Sequence, residues 1–182
     1  MNTPVIGFAA WSGTGKTTLL EAVVTRLRAR GLNVAVIKHA HHDFDIDHPG
    51  KDSHRLRQAG ARQVMVASRR RWALITEHDD DRPEPQLAEL LPQLAHDRLD
   101  LVLVEGFKHE PIPKIELHRP ALRKPLLYPD DPQIIAIATD APLAITPGIP
   151  VLDLNQPDAV CDFLIEYRAH HGARTIARKD RT

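Results

Sequence analysis

An α/β fold, with a mainly parallel sheet between helices on both faces, is what this sequence predicts, and three observations predict it. Continuously apolar runs such as "VIGFAA" and "LDLVLVEG" read as strands buried on both faces. Amphipathic helical patterns stand between such runs, so strands and helices alternate. The first strand passes through glycine-rich sequence into a helix and then a second strand, a unit whose crossover is right-handed. At 182 residues the chain has the length of one ordinary domain. A domain of that size buries about two-thirds of the surface its unfolded form exposes.

Each element has its own warrant. Val5–Ala10 is the first strand. From Thr17 the pattern turns helical, with Leu19, Leu20, Val23, Val24 and Leu27 on one face, and Gly31 stands where a left-handed C-cap belongs. Asn33–His39 is the second strand, and residues 40–52 form a polar connection broken at Pro49–Gly50. Asp52 or Ser53 is placed to cap a short helix to Ala59, stopped by Gly60. "QVMVAS" and "RWALIT" read as an inserted β-hairpin, although the Arg69–Arg70 between them is not a favoured tight turn. Residues 79–86 are an acidic, proline-bearing loop, and Leu87, Leu90, Leu91 and Leu94 mark a helix distorted at Pro92. Residues 99–106, "PKIELH", "IIAIATD" and "IPVLDL" supply the remaining strands. Asn155 is expected to cap a last helix with Pro157 in its first turn and Val160, Phe163, Leu164 and Tyr167 on one face. Residues 1–170 make the expected domain, and 171–182 a basic, frayed tail.

Composition narrows the function classes. Lys+Arg and Asp+Glu both total 24, a formal net charge of zero, which argues against a dedicated nucleic-acid or membrane-surface protein. The N-terminus has no basic n-region, and its first apolar run is too short for a signal peptide or a membrane span. The single cysteine, Cys161, falls on the apolar side of the last helix, as a buried structural thiol in a reducing compartment does. A soluble cytoplasmic protein is the expectation.

The chemistry begins at "AWSGTGKT", residues 10–17. It follows the phosphate-loop pattern G-x-x-x-x-G-K-[ST], with Ala10 in place of the first glycine and Gly15, Lys16 and Thr17 in register. Together with the strand before and the helix after, this makes the expected fold a P-loop NTPase three-layer sandwich. Backbone N–H groups from Gly13 through Thr14, Gly15 and Lys16 to Thr17 converge at a helix N-terminus, where the helix dipole favours an anion. Lys16 is placed for the β- and γ-phosphates and Thr17 for Mg²⁺. The rival pattern G-x-G-x-x-G fails because Thr18 occupies its last glycine position.

A magnesium–triphosphate site needs an acid at the carboxyl end of a neighbouring strand. "LDLVLVEG" offers Asp100 at its start and Glu105 at its end, about 16 Å apart at the rise of a strand. Loops after parallel strands face the site, so Glu105 is chosen, to hold a magnesium water or orient an attacking water. Gly106 then places a backbone N–H near the γ-phosphate. "KHAHHDFDID" also lies on that side and brings Lys38, His39, Asp43, Asp45 and Asp47, with Asp45 the preferred additional magnesium-side acid. His39, His41, His42 and His48 lack the spacing of a transition-metal site and read as structural or substrate-contacting. Asp140, after "IIAIAT", reads either as a turn residue before Pro142 or as a carboxylate accepting from guanine N1–H and the 2-amino group.

"FAAWSGTGKTTL", "IKHAHHDFDIDHPGKDS", "VASRRRWALITE", "LDLVLVEGFKHE" and "IAIATDAPL" together resemble the MobB family of molybdopterin-guanine dinucleotide biosynthesis adapter proteins, from about residue 4 to 168. In that light Ala10 looks like the family's own form of the loop. The resemblance implies a GTP-binding, weakly GTP-hydrolysing homodimer that works with MobA, the nucleotidyltransferase attaching GMP to molybdopterin. It also implies Gly13, Gly15, Lys16, Thr17 and Thr18 at the phosphates, Glu105 on the catalytic side and Asp140 at guanine. Arg69–Arg71 with Trp72 then read as a solvated basic turn or as a contact for the dimer mate or an anionic pterin. Two other readings stand beside the GTPase adapter. One is a P-loop small-molecule kinase using the acids of "HHDFDID" as base, and the other a non-hydrolysing, nucleotide-gated binding module.

Overall fold

A computed structural model describes residues 3–40, 44–78 and 82–179, with side chains to His171. The strands are β1 (Val5–Ala10), β2 (Val34–Lys38), β3 (Gln63–Ala67), β4 (Trp72–Thr76), β5 (Leu101–Glu105), β6 (Lys114–His118), β7 (Ile134–Thr139) and β8 (Val151–Asp153). The helices are α1 (Lys16–Ala29), α2 (Asp52–Gln58), α3 (Leu87–Leu90) and α4 (Pro157–Lys179). Continuous apolar strands need cover on both sides, and six of them join one parallel sheet in the order β2-β5-β1-β6-β7-β8. The chain divides into two compact units. Met1–His39 with Leu87–Thr182 carries this sheet, and Ala40–Gln86 carries α2 and the β3–β4 hairpin.

The period of two along β5 divides the core between the two faces of the sheet. Leu101 and Leu103 join Ile6, Phe8, Ile115 and Leu117 under α1 and α4, which contribute Leu19, Leu20, Val23 and Leu27, and Val160, Cys161 and Leu164. Val102 and Val104 meet Ile37, Leu87 and Phe107 on the other face. Cys161 is fully buried, and that burial pushes its thiol above the ordinary range, as suits a structural residue.

β6 departs from what its alternation implies. Ile115 and Leu117 enter the apolar core, yet Lys114, Glu116 and His118 are buried as well. The cover is an irregular connection, residues 119–133, held by polar contacts. Both oxygens of Glu116 accept from backbone, Oε1 from Leu127 N and Oε2 from Tyr128 N, each at 2.8 Å. Lys114 Nζ donates to Asp131 Oδ2 at 2.9 Å. Burial raises the Glu116 carboxyl above the usual range, against the lowering effect of those amide bonds.

Several boundaries differ from the sequence expectation. α3 stops at Leu90 and Leu91–Gln93 form a 3-10 turn, because Pro92 lacks the N–H and crowds the preceding turn. Lys51, not Asp52 or Ser53, precedes α2, and Asp52 serves in the first turn, where a negative charge opposes the dipole. Gln156 directly precedes α4, while Asn155 donates its N–H to Asp153 Oδ1. The helical backbone of α4 runs to Lys179, past residue 170, through the good helix formers Ala173, Arg174, Ala177 and Arg178. The hairpin turns through Ser68–Arg71, whose ends are joined by Ser68 N donating to Arg71 O at 2.8 Å. The Ser68 hydroxyl oxygen accepts from the amides of Arg70 and Arg71, which explains how an unfavoured Arg–Arg pair turns. Among the described residues no helix is long and apolar enough to cross a membrane.

Candidate functional site

β1 lies between β5 and β6, so the loop that leaves its carboxyl end is flanked by the ends of both neighbours. The strand ends at Ala10 and the helix begins at Lys16. Between them Gly13 and Gly15 adopt left-handed φ values of 81° and 91°, which a side chain would strain. Ala10 stays in the extended strand and needs no positive φ, so alanine serves there as well as glycine. Thr14 is buried, with its hydroxyl donating to Trp11 O at 2.7 Å, which closes the loop on itself. The first turn of α1 contains no acid of its own to offset its partial positive charge. Lys16, Thr17 and Thr18 begin that turn, and Lys16 Nζ lies 3.5 Å from Ala10 O, a contact at the limit of hydrogen bonding.

The β5 side places a hydroxyl and a carboxylate together. Glu105 ends β5 in register with Phe8 of β1 and Lys38 of β2. Its Oε1 accepts from the Thr17 hydroxyl at 3.3 Å, and Lys38 Nζ is 3.7 Å from its Oε2. A hydroxyl and a carboxylate together suit a hard cation such as Mg²⁺. Among the described residues no group of three or more His, Cys, Asp or Glu is arranged to hold a metal. Gly106 has φ 99°, and a Cβ there would stand 2.7 Å from His39 Cβ, so only glycine fits the turn. Asp100 stands at the opposite end, accepting from Asn33 N at 2.8 Å and from Arg168.

On the β6–β7 side the structure brings forward a residue the sequence reading missed. Arg119, just after β6, donates from Nε to Thr14 O at 2.9 Å and from Nη1 to Asp140 Oδ2 at 2.5 Å. Asp140 follows β7, so one guanidinium joins the phosphate loop to the strand-end carboxylate. "ELHRP" does show a basic residue at a strand end. What it does not show is that β6 pairs with β1, which is what sets Arg119 beside the loop.

The other expected residues are placed as follows. His39 stacks on Phe107, with ring centroids 4.9 Å apart. His41, His42 and Asp43 lie outside the described residues. Asp45 and Asp47 belong to the second unit, where Arg57 Nη2 donates to Asp45 Oδ1 at 2.5 Å and Asp47 Oδ1 at 2.7 Å, and Nη1 to Glu77 at 2.8 Å. The partner the structure gives Asp45 is therefore a guanidinium, not another acid of a metal set. Arg57 holds the Asp47 carboxyl below its ordinary range. Arg69–Arg71 are exposed at the hairpin tip, and Trp72 beside them is 65% exposed.

A family model described as molybdopterin guanine dinucleotide synthesis protein B, MobB, matches residues 5–140, from β1 through Asp140. This chain belongs to the MobB family. It is 49% identical over 165 residues to the molybdopterin-guanine dinucleotide biosynthesis adapter protein of Escherichia coli, covering 90% of this chain and 93% of that one. It is 47% identical over 173 residues to the protein of the same name from Haemophilus influenzae, covering 94% and 93%. The crystal structure of a MobB homolog from Bacillus stearothermophilus aligns with a TM-score of 0.66 at 27% identity, covering 93% of this chain and 99% of that one. The phosphate loop, Glu105 and Asp140 all fall inside the MobB match. The parallel sheet and its helices have the MobB fold, which is P-loop NTPase-like.

Proposed function

We propose that this MobB-family chain is a GTP-binding, weakly GTP-hydrolysing adapter in molybdopterin guanine dinucleotide biosynthesis, assisting the nucleotidyltransferase MobA. The observation that carries the reading is the phosphate loop: two left-handed glycines opening onto a helix whose first turn carries Lys16 and holds Thr17 beside Glu105. Amides of Gly13–Thr17 bind phosphate oxygens, and Lys16 moves from its weak contact with Ala10 O onto the β- and γ-phosphates. Thr17 and Glu105 would hold Mg²⁺, which when bound neutralises charge developing on the phosphates. Glu105 orients the attacking water, directly or through its hydration, and the Gly106 N–H faces the γ-phosphate. Asp140 accepts from guanine N1–H and the 2-amino group.

Slow hydrolysis follows from the groups at hand. The guanidinium beside the loop, Arg119, is engaged by Thr14 O and Asp140. An arginine or glutamine acting on the γ-phosphate is worth orders of magnitude in rate, so stimulation comes from a second subunit or MobA. A homodimer and a molybdopterin-bearing ligand complete the proposal. It is supported by the outward hairpin face, where Met65, Trp72 and Leu74 are exposed apolar residues in need of cover. Single-turnover hydrolysis by the isolated protein tests the reading, with calorimetry of GTP, ATP and GDP with Mg²⁺ in the presence and absence of MobA. Slow turnover, discrimination against ATP and a GTP affinity that shifts with MobA are expected. Fast turnover by the isolated protein overturns the weak-hydrolysis reading.

A further inference from the structure

Arg119 stands where three elements meet. Its Nε is bound to the carbonyl of Thr14 in the phosphate loop and its Nη1 to Asp140 after β7, at 2.9 and 2.5 Å. Its Nη2 lies 3.7 Å from the position a Cβ on Gly15 would take, so the guanidinium lies against the residue that directly precedes α1. The backbone that carries it is fixed. Arg119 O accepts from Leu122 N at 3.0 Å, and the connection it begins is held onto β6 by Glu116 through Leu127 and Tyr128. The side chain is still 32% exposed, so a ligand bound across the loop reaches it.

We propose that Arg119 is a positioning and specificity-determining residue. It holds the Asp140 carboxylate at a set distance from the phosphate loop, so that one nucleotide is measured at its base and its phosphates together. The inference rests on the guanine reading of Asp140. A purine nucleotide has limited reach between its base edge and its phosphates. A carboxylate reads the two donors of guanine only if it is held at that reach. A carboxylate free to turn away would also escape the acceptor N1 of adenine and discriminate poorly. The Arg119 ion pair removes that freedom while leaving Oδ1 and a lone pair of Oδ2 for the base. Lysine does not replace it, because a single ammonium lacks the planar fork that serves two acceptors at once.

The test is calorimetry of the full chain with Mg²⁺ and GTP, ATP or inorganic pyrophosphate, the last reporting on the loop without a base. Wild type is compared with Arg119→Lys, Arg119→Met, Asp140→Asn and the Arg119→Met, Asp140→Asn double variant. Arg119→Met is expected to lower the GTP-over-ATP preference about tenfold or more and to leave pyrophosphate affinity within about threefold. Arg119→Lys falls between, and in the Asp140→Asn background Arg119→Met adds no further loss of preference. Wild-type preference in both Arg119 variants overturns the inference alone. So does a pyrophosphate affinity that falls in step with GTP, which marks a merely structural role, or losses that add in the double variant. If Arg119→Met fails to fold, Arg119→Lys decides, with preference lost and pyrophosphate binding kept as the supporting result. Equal binding of GTP and ATP by the wild type overturns the guanine reading itself and this inference with it.

Discussion

The two flanks of the phosphate loop are built differently. On the β5 flank, Thr17, Glu105 and Lys38 face one another across 3.3 and 3.7 Å, distances at which neutral or ionic contacts are weak. On the β6–β7 flank, Thr14, Arg119 and Asp140 are closed together at 2.9 and 2.5 Å. On the proposed function, the loose side would be where groups move onto a substrate as charge develops, and the tight side where geometry is fixed before a ligand arrives. A binding end held rigid and a reacting end left adjustable is the division expected when specificity and chemistry are assigned to different strands.

The largest expected effect tests the loop that both flanks share. Lys16→Ala should weaken Mg²⁺–GTP binding by about a hundredfold or more in calorimetry, because it removes the loop's own ammonium, the group proposed to reach the β- and γ-phosphates. Retained affinity would break the comparison at its root. On the adjustable flank, Glu105→Gln should lower the single-turnover rate by about a hundredfold while GTP affinity changes little. Equal loss of both would make Glu105 a binding group and erase the contrast. On the fixed flank the opposite split is expected. Asp140→Asn should reduce the GTP-over-ATP preference by about ten- to a hundredfold, with less effect on the turnover of bound GTP.

Smaller effects sharpen the same contrast through stability. Glu116→Ala strands the amides of Leu127 and Tyr128 under the sheet and should cost about 2–4 kcal/mol in chemical denaturation. It should also loosen the connection that begins at Arg119 and thereby lower base preference. The pH dependence has a worked sign. Because the folded carboxyl of Glu116 is raised, its stabilising contribution is full below the ordinary carboxylate range and is lost as pH rises through the raised value. The stability difference between wild type and Glu116→Gln should therefore shrink from acid toward neutral pH. Asp47, lowered by Arg57, has the opposite sign: its contribution is present above the ordinary range and is lost as pH falls through the lowered value. Asp47→Asn should accordingly flatten the acid limb of the unfolding profile.

The β5 flank was legible because its parts are local. Gly13, Gly15, Lys16 and Thr17 occur in one run, and Glu105 sits at the end of the most strand-like segment, so parallel-sheet geometry alone selects it over Asp100. On the β6–β7 flank the sequence offered Thr14 and Asp140 but not the residue that joins them. Arg119 touches Thr14 across 105 residues, and no spacing in the sequence encodes that β6 lies beside β1. Glu116 was hidden for a related reason. In "PKIELH" its alternation reads as a solvent-facing position, and only the connection folded back over that face buries it. Asp45 shows what spacing leaves out. The sequence offers a loop acid on the expected phosphate side, and the structure gives its Oδ1 a partner, Arg57, twelve residues on.

By itself, then, the sequence determined the strand and helix alternation, the phosphate loop and its flanking acid, and enough motif content to resemble one family. All of these depend on periodicity and short-range spacing, which a chain carries before it folds. Tertiary structure decided strand order, the burial of the polar face of β6 and the Arg119 bridge. Those depend on which distant segments become neighbours, and burying apolar strands on both faces constrains that choice without naming the partners.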